Sequence, residues 1–296
     1  GLIGKAWGVR SRAIRSIPHW IKSDKIEIME PKIESMPIES MNDDDKAILT
    51  FTSGTSGNPK GVHRKHRYLI DQALTLQNHL PPVSDKLDLT VFTNVALLNL
   101  GMGKGSLLMP SRWPVRAIRD LDHLPEKYRP DTLACGPGFL KILLENAKAP
   151  YLKHLHFGGA LADMSLYKKA IENWPGSKLE HIYGSSEAEP VAISDLKDAV
   201  RKSENEGYFQ TLYLGKPVPE IKLHQESKAL WVSGPHVSPL YEGDDEANRK
   251  NKRTDETGIV WHNMGDQILI DEGELWYQGR DFQRPEDFKL EQTIYH

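Results

Sequence analysis

Thr52-Ser53-Gly54-Thr55-Ser56-Gly57-Asn58-Pro59-Lys60-Gly61 is the stretch on which the reading of this chain turns. It follows a short apolar, β-prone run, Ala47–Thr52, and precedes Arg67–Leu80, whose spacing predicts a helix closed by Pro81-Pro82. Small residues let the backbone approach an anion closely, and glycine tolerates the positive φ that turns successive N–H groups inward. The hydroxyls of Thr52, Ser53, Thr55 and Ser56 add donors, Lys60 adds a positive charge, and the following helix is expected to add its N-terminal dipole. Gly54 and Gly57 give the loop its freedom. The spacing is not that of a Walker A loop, because Lys60 is followed by Gly61 and Val62 rather than by Ser or Thr. On composition alone, a Ser/Gly-rich surface loop is the alternative.

Outward from this loop, Leu87–Thr93, Thr132–Cys135, His154–Phe157 and Leu179–Tyr183 read as buried strands, and Phe139–Ala147 and Ser165–Asn173 as helices. Strands alternating with helices predict an α/β fold with a mainly parallel sheet and flanking helices. From Leu212 onward the texture changes to short alternating runs: Ile221–His224, Ala229–Ser233, Gly258–His262, Gln267–Ile270 and Glu274–Gln278. These predict a smaller antiparallel β subdomain. Asp244–Glu256, charged and Asn-rich, is expected to be an exposed loop.

At 296 residues the chain can hold one large domain or two smaller ones. Lys and Arg number 38 against 41 Asp and Glu, so a net charge of −3 gives no bulk attraction to nucleic acid. A single cysteine, Cys135, excludes an intrachain disulfide and any multi-cysteine metal site, and its Leu-Ala-Cys-Gly setting predicts a buried, inert thiol. A reducing, cytoplasmic setting is expected. The longest uncharged run, Leu89–Gly103, is shorter than the roughly 20 residues a spanning helix needs. The opening lacks the apolar stretch and cleavage site of a secretory signal. Instead, residues 1–22 carry Lys5, Arg10, Arg12, Arg15 and Lys22 and no acid, with Ile3, Trp7, Ile14, Ile17 and Ile21 at near-helical spacing. That pattern is a basic amphipathic helix, either in peripheral contact with an anionic membrane or packed on its own domain.

The run Phe51–Val62 resembles the phosphate-loop signature of the adenylate-forming (AMP-binding) superfamily, which includes acyl-CoA synthetases, luciferases and peptide-synthetase adenylation domains. Three further matches follow in the family's order. Gly158-Gly159-Ala160 follows an apolar strand, Tyr183-Gly184-Ser185-Ser186-Glu187 matches the Tyr-Gly-x-Ser/Thr-Glu signature, and Met264-Gly265-Asp266 and Gly279-Arg280 match the two last motifs. The resemblance covers about residues 48–280 and implies ATP and Mg²⁺ as cofactors, with coenzyme A a possible acceptor. It implies that Gly159, Ala160, Tyr183 and Gly184 bind the nucleotide, with Tyr183 against adenine and Ser186 at the α-phosphate. Glu187 would hold Mg²⁺, Asp266 the ribose hydroxyls, and Arg280 ribose or phosphate oxygens. Lys60, Ser186 and Glu187 are the candidate catalytic residues. His262–Asp266, Trp276–Arg280 and Tyr183–Pro190 look most like the fatty-acyl branch that also contains the β-lactone synthetases of olefin biosynthesis.

The implied reaction is ATP-dependent activation of a carboxylic acid to an acyl-adenylate, en route to a CoA thioester. Lactone closure on a β-hydroxy acid is one alternative, and a non-catalytic nucleotide-binding remnant is another. Family position puts the acyl pocket near Leu97–Met102 and Gly158–Ala160, where the apolar run Val95–Leu100 favours a hydrophobic acid; a buried strand or helix end explains the same run. The expected organisation is a lead-in at 1–45, an α/β nucleotide-binding subdomain at 46–204 and a β-rich subdomain at 205–296. Compared with the family, little chain precedes the loop and only 16 residues follow Arg280, too few for the usual C-terminal domain with its catalytic lysine. Lys289 is no substitute, and Asp281-Phe282-Gln283-Arg284 replaces the usual hinge pattern. A chain truncated at both ends, with weak or absent adenylation by itself, is the expectation. Two rivals fare worse. Gly184-Ser185-Ser186-Glu187-Ala188 approaches a serine-hydrolase elbow but ends in Ala188, and Gly101-Met102-Gly103-Lys104-Gly105-Ser106 lacks the third glycine of a dinucleotide loop.

Overall fold

The computed structural model describes residues 40–52, 60–81, 84–110, 112–205 and 212–280. Residues 1–22, with their basic amphipathic pattern, and the loop residues Ser53, Gly54, Thr55, Ser56 and Gly57 lie outside the described residues, as does the stretch after Arg280.

The first strands among the described residues form an antiparallel pair. β1 (Lys46–Thr52) and β2 (Lys60–Lys65) run antiparallel with Thr52 opposite Lys60. The phosphate-type loop therefore joins two strands, and the expectation that it opens a helix is corrected. Helix α1 (His66–His79) starts only after β2, so its N-terminal dipole is one strand length away from Lys60. Gly61-Val62-His63-Arg64 is extended because all four are buried between partners: β1 on one edge and β12 (Tyr241–Glu242) on the other.

Among the described residues the body is a twelve-stranded mixed sheet. Its parallel part comprises β3 (Asp88–Thr90), β4 (Ser106–Leu108), β5 (Thr132–Cys135), β6 (His154–Phe157) and β7 (Lys178–Ser185). Leu89, Leu133, Leu155 and Leu179 stand in register across β3, β5, β6 and β7, each at most 1% exposed. Crossover helices cover this part: α2 (Thr93–Gly101), α3 (Val115–Asp120), α4 (Pro137–Asn146) and α5 (Met164–Asn173). The Asp163 carboxylate caps α5 by accepting from the Ser165 N–H, and Pro137 opens α4 at a position where no N–H is needed. Cys135 is fully buried and burial pushes its thiol up, which makes it the inert core residue expected. The expected α/β fold with its antiparallel addition is the architecture observed.

β8 (Ala188–Asp195) folds back antiparallel on β7 and turns the sheet over. After α6 (Leu196–Asn205), β9 (Leu212–Pro217) pairs with β8, and β10 (Lys222–Glu226) and β11 (Ala229–Ser233) follow at the far edge. Two details here differ from the sequence reading. Within Asp244–Glu256 lie a helix, α7 (Asp245–Asn251), and a strand, β13 (Lys252–Thr254), rather than a loop. The Asp244 carboxylate caps α7 at the Ala247 N–H, acids fill the first turn and Arg249 and Lys250 the last, a helix signature hidden by the high charge. The runs at Gly258–His262 and Gln267–Ile270 are one strand, β14 (Val260–Asp271), which pairs with β15 (Glu274–Arg280). A register irregularity interrupts β14, since Trp231 pairs with Asn263 but Ala229 pairs with Gln267.

Candidate active site

The family-like residues converge at the end of β7 where the parallel strands stop. The turn between β7 and β8, Ser185–Ala188, is tight enough that a Cβ on Gly184 would lie 2.8 Å from the Ala188 carbonyl oxygen. Only glycine fits there. Gly158 and Gly159 follow β6 alongside it; Gly159 has φ +80° and a Cβ on it would touch the Phe92 ring at 3.3 Å. Ala160 comes next and is half-buried.

Glu187 sits on that turn, 8% exposed. Tyr241 donates its hydroxyl to Glu187 Oε1 at 2.6 Å. Burial pushes the Glu187 carboxyl up, but its neighbours His262, Tyr241 (through the hydrogen bond) and Lys252 together outweigh that and hold it below its ordinary value. Lys60 Nζ lies 5.3 Å from the centre of the same Tyr241 ring, and Lys252 Nζ lies 5.2 Å from it. Burial brings Lys252 down to about 7 against the pull of Glu187, and its ammonium donates to the Ser238 carbonyl. Burial, reinforced by Lys252, brings His262 down to about 3, so it is a neutral imidazole at pH 7. Its Nδ1 therefore donates to the Asn251 carbonyl at 3.1 Å.

The second group of side chains lies on β7, β14 and β15. Tyr183, 4% exposed, donates its hydroxyl to Asp266 Oδ2 at 2.8 Å, and burial together with Asp266 keeps the phenol protonated. Arg280, directly opposite Asp266 in the ladder, brings its Nε to 3.4 Å from Asp266 Oδ1. The irregularity in β14 is what aims Asp266. Gly265, at its centre, has φ +70°, a left-handed conformation, and its N–H is held by Asn263 Oδ1 at 2.9 Å. Ser185 Oγ, 3.9 Å from Met264 Sδ, joins the two groups.

Thus Lys60, Glu187, Tyr183, Gly184, Asp266 and Arg280 are brought together, with Thr52 paired across from Lys60. Ser186 occupies a hairpin turn between antiparallel strands, whereas a hydrolase nucleophile needs a strand-to-helix elbow. Gly101–Gly105 lies between a helix and a strand, so the dinucleotide-loop geometry is absent there too. In α2, Leu97 and Leu100 are 47% and 73% exposed, facing outward rather than into the core. Tyr241 and Lys252 were not legible as site residues: Tyr241 reaches Glu187 across 54 residues of chain and nothing local marks it. An open cleft of about 430 Å³ lined by Arg67, Tyr68, Glu220, Lys222 and Val260 shares none of these side chains.

Among the described residues, no three His, Cys, Asp or Glu side chains form a metal cage. Glu187 nonetheless fits Mg²⁺, because it is a buried carboxylate held ionised, and this cation takes one or two carboxylates and completes its shell with phosphate and water.

A family model described as "AMP-binding enzyme" matches residues 9–241. The D-alanine–D-alanyl carrier protein ligase of Streptococcus pyogenes serotype M5 (strain Manfredo) is 28% identical over 290 residues, covering 87% of this chain and 55% of that protein. Other strains of the same species give the same match; the chain spans about half the length of the curated relatives it matches. Among solved structures, O-succinylbenzoate coenzyme A synthetase (MenE) from Bacillus subtilis in complex with AMP superposes with a TM-score of 0.66 at 22% identity, covering 81% of this chain and 50% of that one. The same protein in complex with ATP and magnesium ion gives 0.66 at 22% identity, with 83% and 53% covered. CmiS6 gives 0.68 at 19% identity, with 82% and 63% covered. These likenesses carry the fold. Among the described residues no helix is long and apolar enough to cross a membrane.

Proposed function

Because this chain belongs to the AMP-binding enzyme family, we propose that it takes part in ATP-dependent activation of a carboxylic acid to an acyl-adenylate. The observation that carries the proposal is the convergence of Lys60 and Glu187 on one tyrosine ring, beside an Asp266 carboxylate that is held by Tyr183 and faces Arg280. In the step, an oxygen of the substrate carboxylate attacks the α-phosphorus, the new P–O bond forms, and the bond to the bridging oxygen breaks to release pyrophosphate. No protein nucleophile is required. Catalysis is positioning plus stabilisation of phosphate charge. Lys60 places an ammonium beside the departing phosphates. Asp266, aimed by Tyr183, accepts from the ribose hydroxyls, and Arg280 adds donors at the same edge. Glu187 would hold Mg²⁺, which when bound neutralises charge on the phosphates.

Gly159, just after β6, lies against the Phe92 ring, where a Cβ would come within 3.3 Å. That apolar ring supports a hydrophobic acid. A thiol, on a carrier protein or coenzyme A, is the acceptor we favour, since the relatives' names include a carrier-protein ligase and a coenzyme A synthetase.

The test is pyrophosphate exchange into ATP with a panel of acids, using wild type and Glu187→Ala. Exchange with one acid class, weak for this chain alone and lowered further by Glu187→Ala, is expected. Equal exchange in both proteins would overturn the assignment of Glu187 and with it the reading of the site.

A further inference from the structure

Helix α1 is amphipathic in the unusual sense. Its buried residues are Tyr68, Gln72 and Thr75, while Ile70 and Leu74 are each 51% exposed. The polar face meets the β7–β8 hairpin, and donors from outside that hairpin hold four of its carbonyls. Arg64 Nη2 donates to the Ser186 carbonyl at 2.8 Å, Ser238 N–H to Glu187 at 2.7 Å, Gln72 Nε2 to Glu189 at 3.0 Å and His236 Nε2 to Pro190 at 2.8 Å.

Arg64 stands out in this set. It is 2% exposed, and no carboxylate lies within ion-pair distance of it among the described residues. Its Nε and Nη1 make no hydrogen bond among the described residues, and its guanidinium lies 5.5 Å from the centre of the Tyr68 ring. A cation buried against one carbonyl and a ring, with the buried Glu189 carboxyl sensing its charge but making no ion pair with it, is a poor source of stability, since the desolvation penalty is several kcal/mol. The strand explains what the placement achieves. Side chains alternate along β2, so Lys60, Val62 and Arg64 share one face. At one end of that face Lys60 lies over Tyr241, the residue that holds Glu187; at the other, Arg64 holds the peptide just before Glu187.

We propose that Arg64 is a positioning residue for the cation–nucleotide site, clamping the Ser186 carbonyl so that the Glu187 carboxylate keeps a fixed station relative to Lys60. This rests on the acid-activation reading, and it assigns to a residue outside the family-like motifs a role in that site.

The experiment follows fluorescent ATP binding to the full chain, first without metal and then across a Mg²⁺ titration. Wild type, Glu187→Ala, Arg64→Met, Arg64→Gln and Arg64→Lys are compared, with circular dichroism confirming the fold. Removing a group that orients a metal ligand typically weakens the metal about 10–100-fold. Arg64→Met and Arg64→Gln are therefore expected to need about 10–100-fold more Mg²⁺ while metal-free ATP affinity stays within about twofold of wild type. Arg64→Lys should recover part of the loss. A purely structural arginine would lower both affinities together. Unchanged Mg²⁺ demand in whichever neutral variant folds, with Glu187→Ala impaired, overturns the role of Arg64 alone. If neither neutral variant folds, Arg64→Lys decides: wild-type Mg²⁺ demand together with lowered stability overturns the proposal, and raised demand supports it. Absence of ATP binding in wild type, or wild-type Mg²⁺ demand in Glu187→Ala, overturns the functional reading and this proposal together.

Discussion

Across β3, β5, β6 and β7 the core is a row of leucines; between α1 and β8 it is an amide, a hydroxyl, an imidazole and a guanidinium. The leucine row is non-directional. Burying each side chain contributes about 1.5–3 kcal/mol and demands volume but no particular angle. The polar seam contributes little net free energy per bond, about 0.5–1.5 kcal/mol, but each bond fixes a direction. The parallel half thus supplies stability and brings the strand ends level, whereas the seam orients the one turn that carries Glu187. A site of this kind needs both.

Three changes would break or sharpen that contrast. Leu155→Ala, in the middle of the leucine row, should lower unfolding free energy by about 2–5 kcal/mol in urea titrations. A loss below about 1 kcal/mol would show that the row is not the main support.

A smaller effect is expected from His181, which lies beside that row and is 1% exposed. Burial brings it from 6.5 down to about 4. The unfolded chain then binds a proton below pH 6.5 that the folded one refuses until about pH 4, so this residue's contribution is present above 6.5 and is lost as pH falls through that window. At pH 4 the loss approaches about 3 kcal/mol. The difference in stability between wild type and His181→Phe, measured from pH 7 to pH 4, should change by that amount. A flat difference would mean His181 reaches water.

Smallest is Gln72→Leu in the polar seam. Gln72 is fully buried; its Nε2 serves Glu189, but its Oε1 has no partner among the described residues. Replacing a half-satisfied amide by a hydrocarbon removes one bond and one desolvation penalty together, so stability should stay within about 1 kcal/mol of wild type. Loss of more than about 2 kcal/mol would contradict the view that the seam orients more than it stabilises.

How much was legible in the sequence follows the same division. Thr132–Cys135, His154–Phe157 and Ala229–Ser233 are strands with the residue limits read from pattern, and α4 and α5 fall within two residues of theirs, because apolar periodicity reports burial directly. Strand β2 escaped because Lys60–Lys65 carries four charged or titratable side chains in six residues and is buried by partners distant in the chain. Helix α7 escaped because its caps are written in the same acids that mark a loop. The motif residues were legible as candidates; the side chains that hold them in place were not. Arg64 reaches Ser186 across 122 residues, and no local rule flags an arginine in a strand as part of a distant turn.

Tyr241 pairs by its backbone with Val62, two residues from Lys60, and by its hydroxyl with Glu187. Strand and carboxylate are therefore pinned to the same residue, like two arms on one axle. On the proposed reading, a phosphate drawing Lys60 inward would pull, through the Val62 pairing, on the tyrosine that grips the carboxylate, and a cation shifting the carboxylate would tug the strand in return.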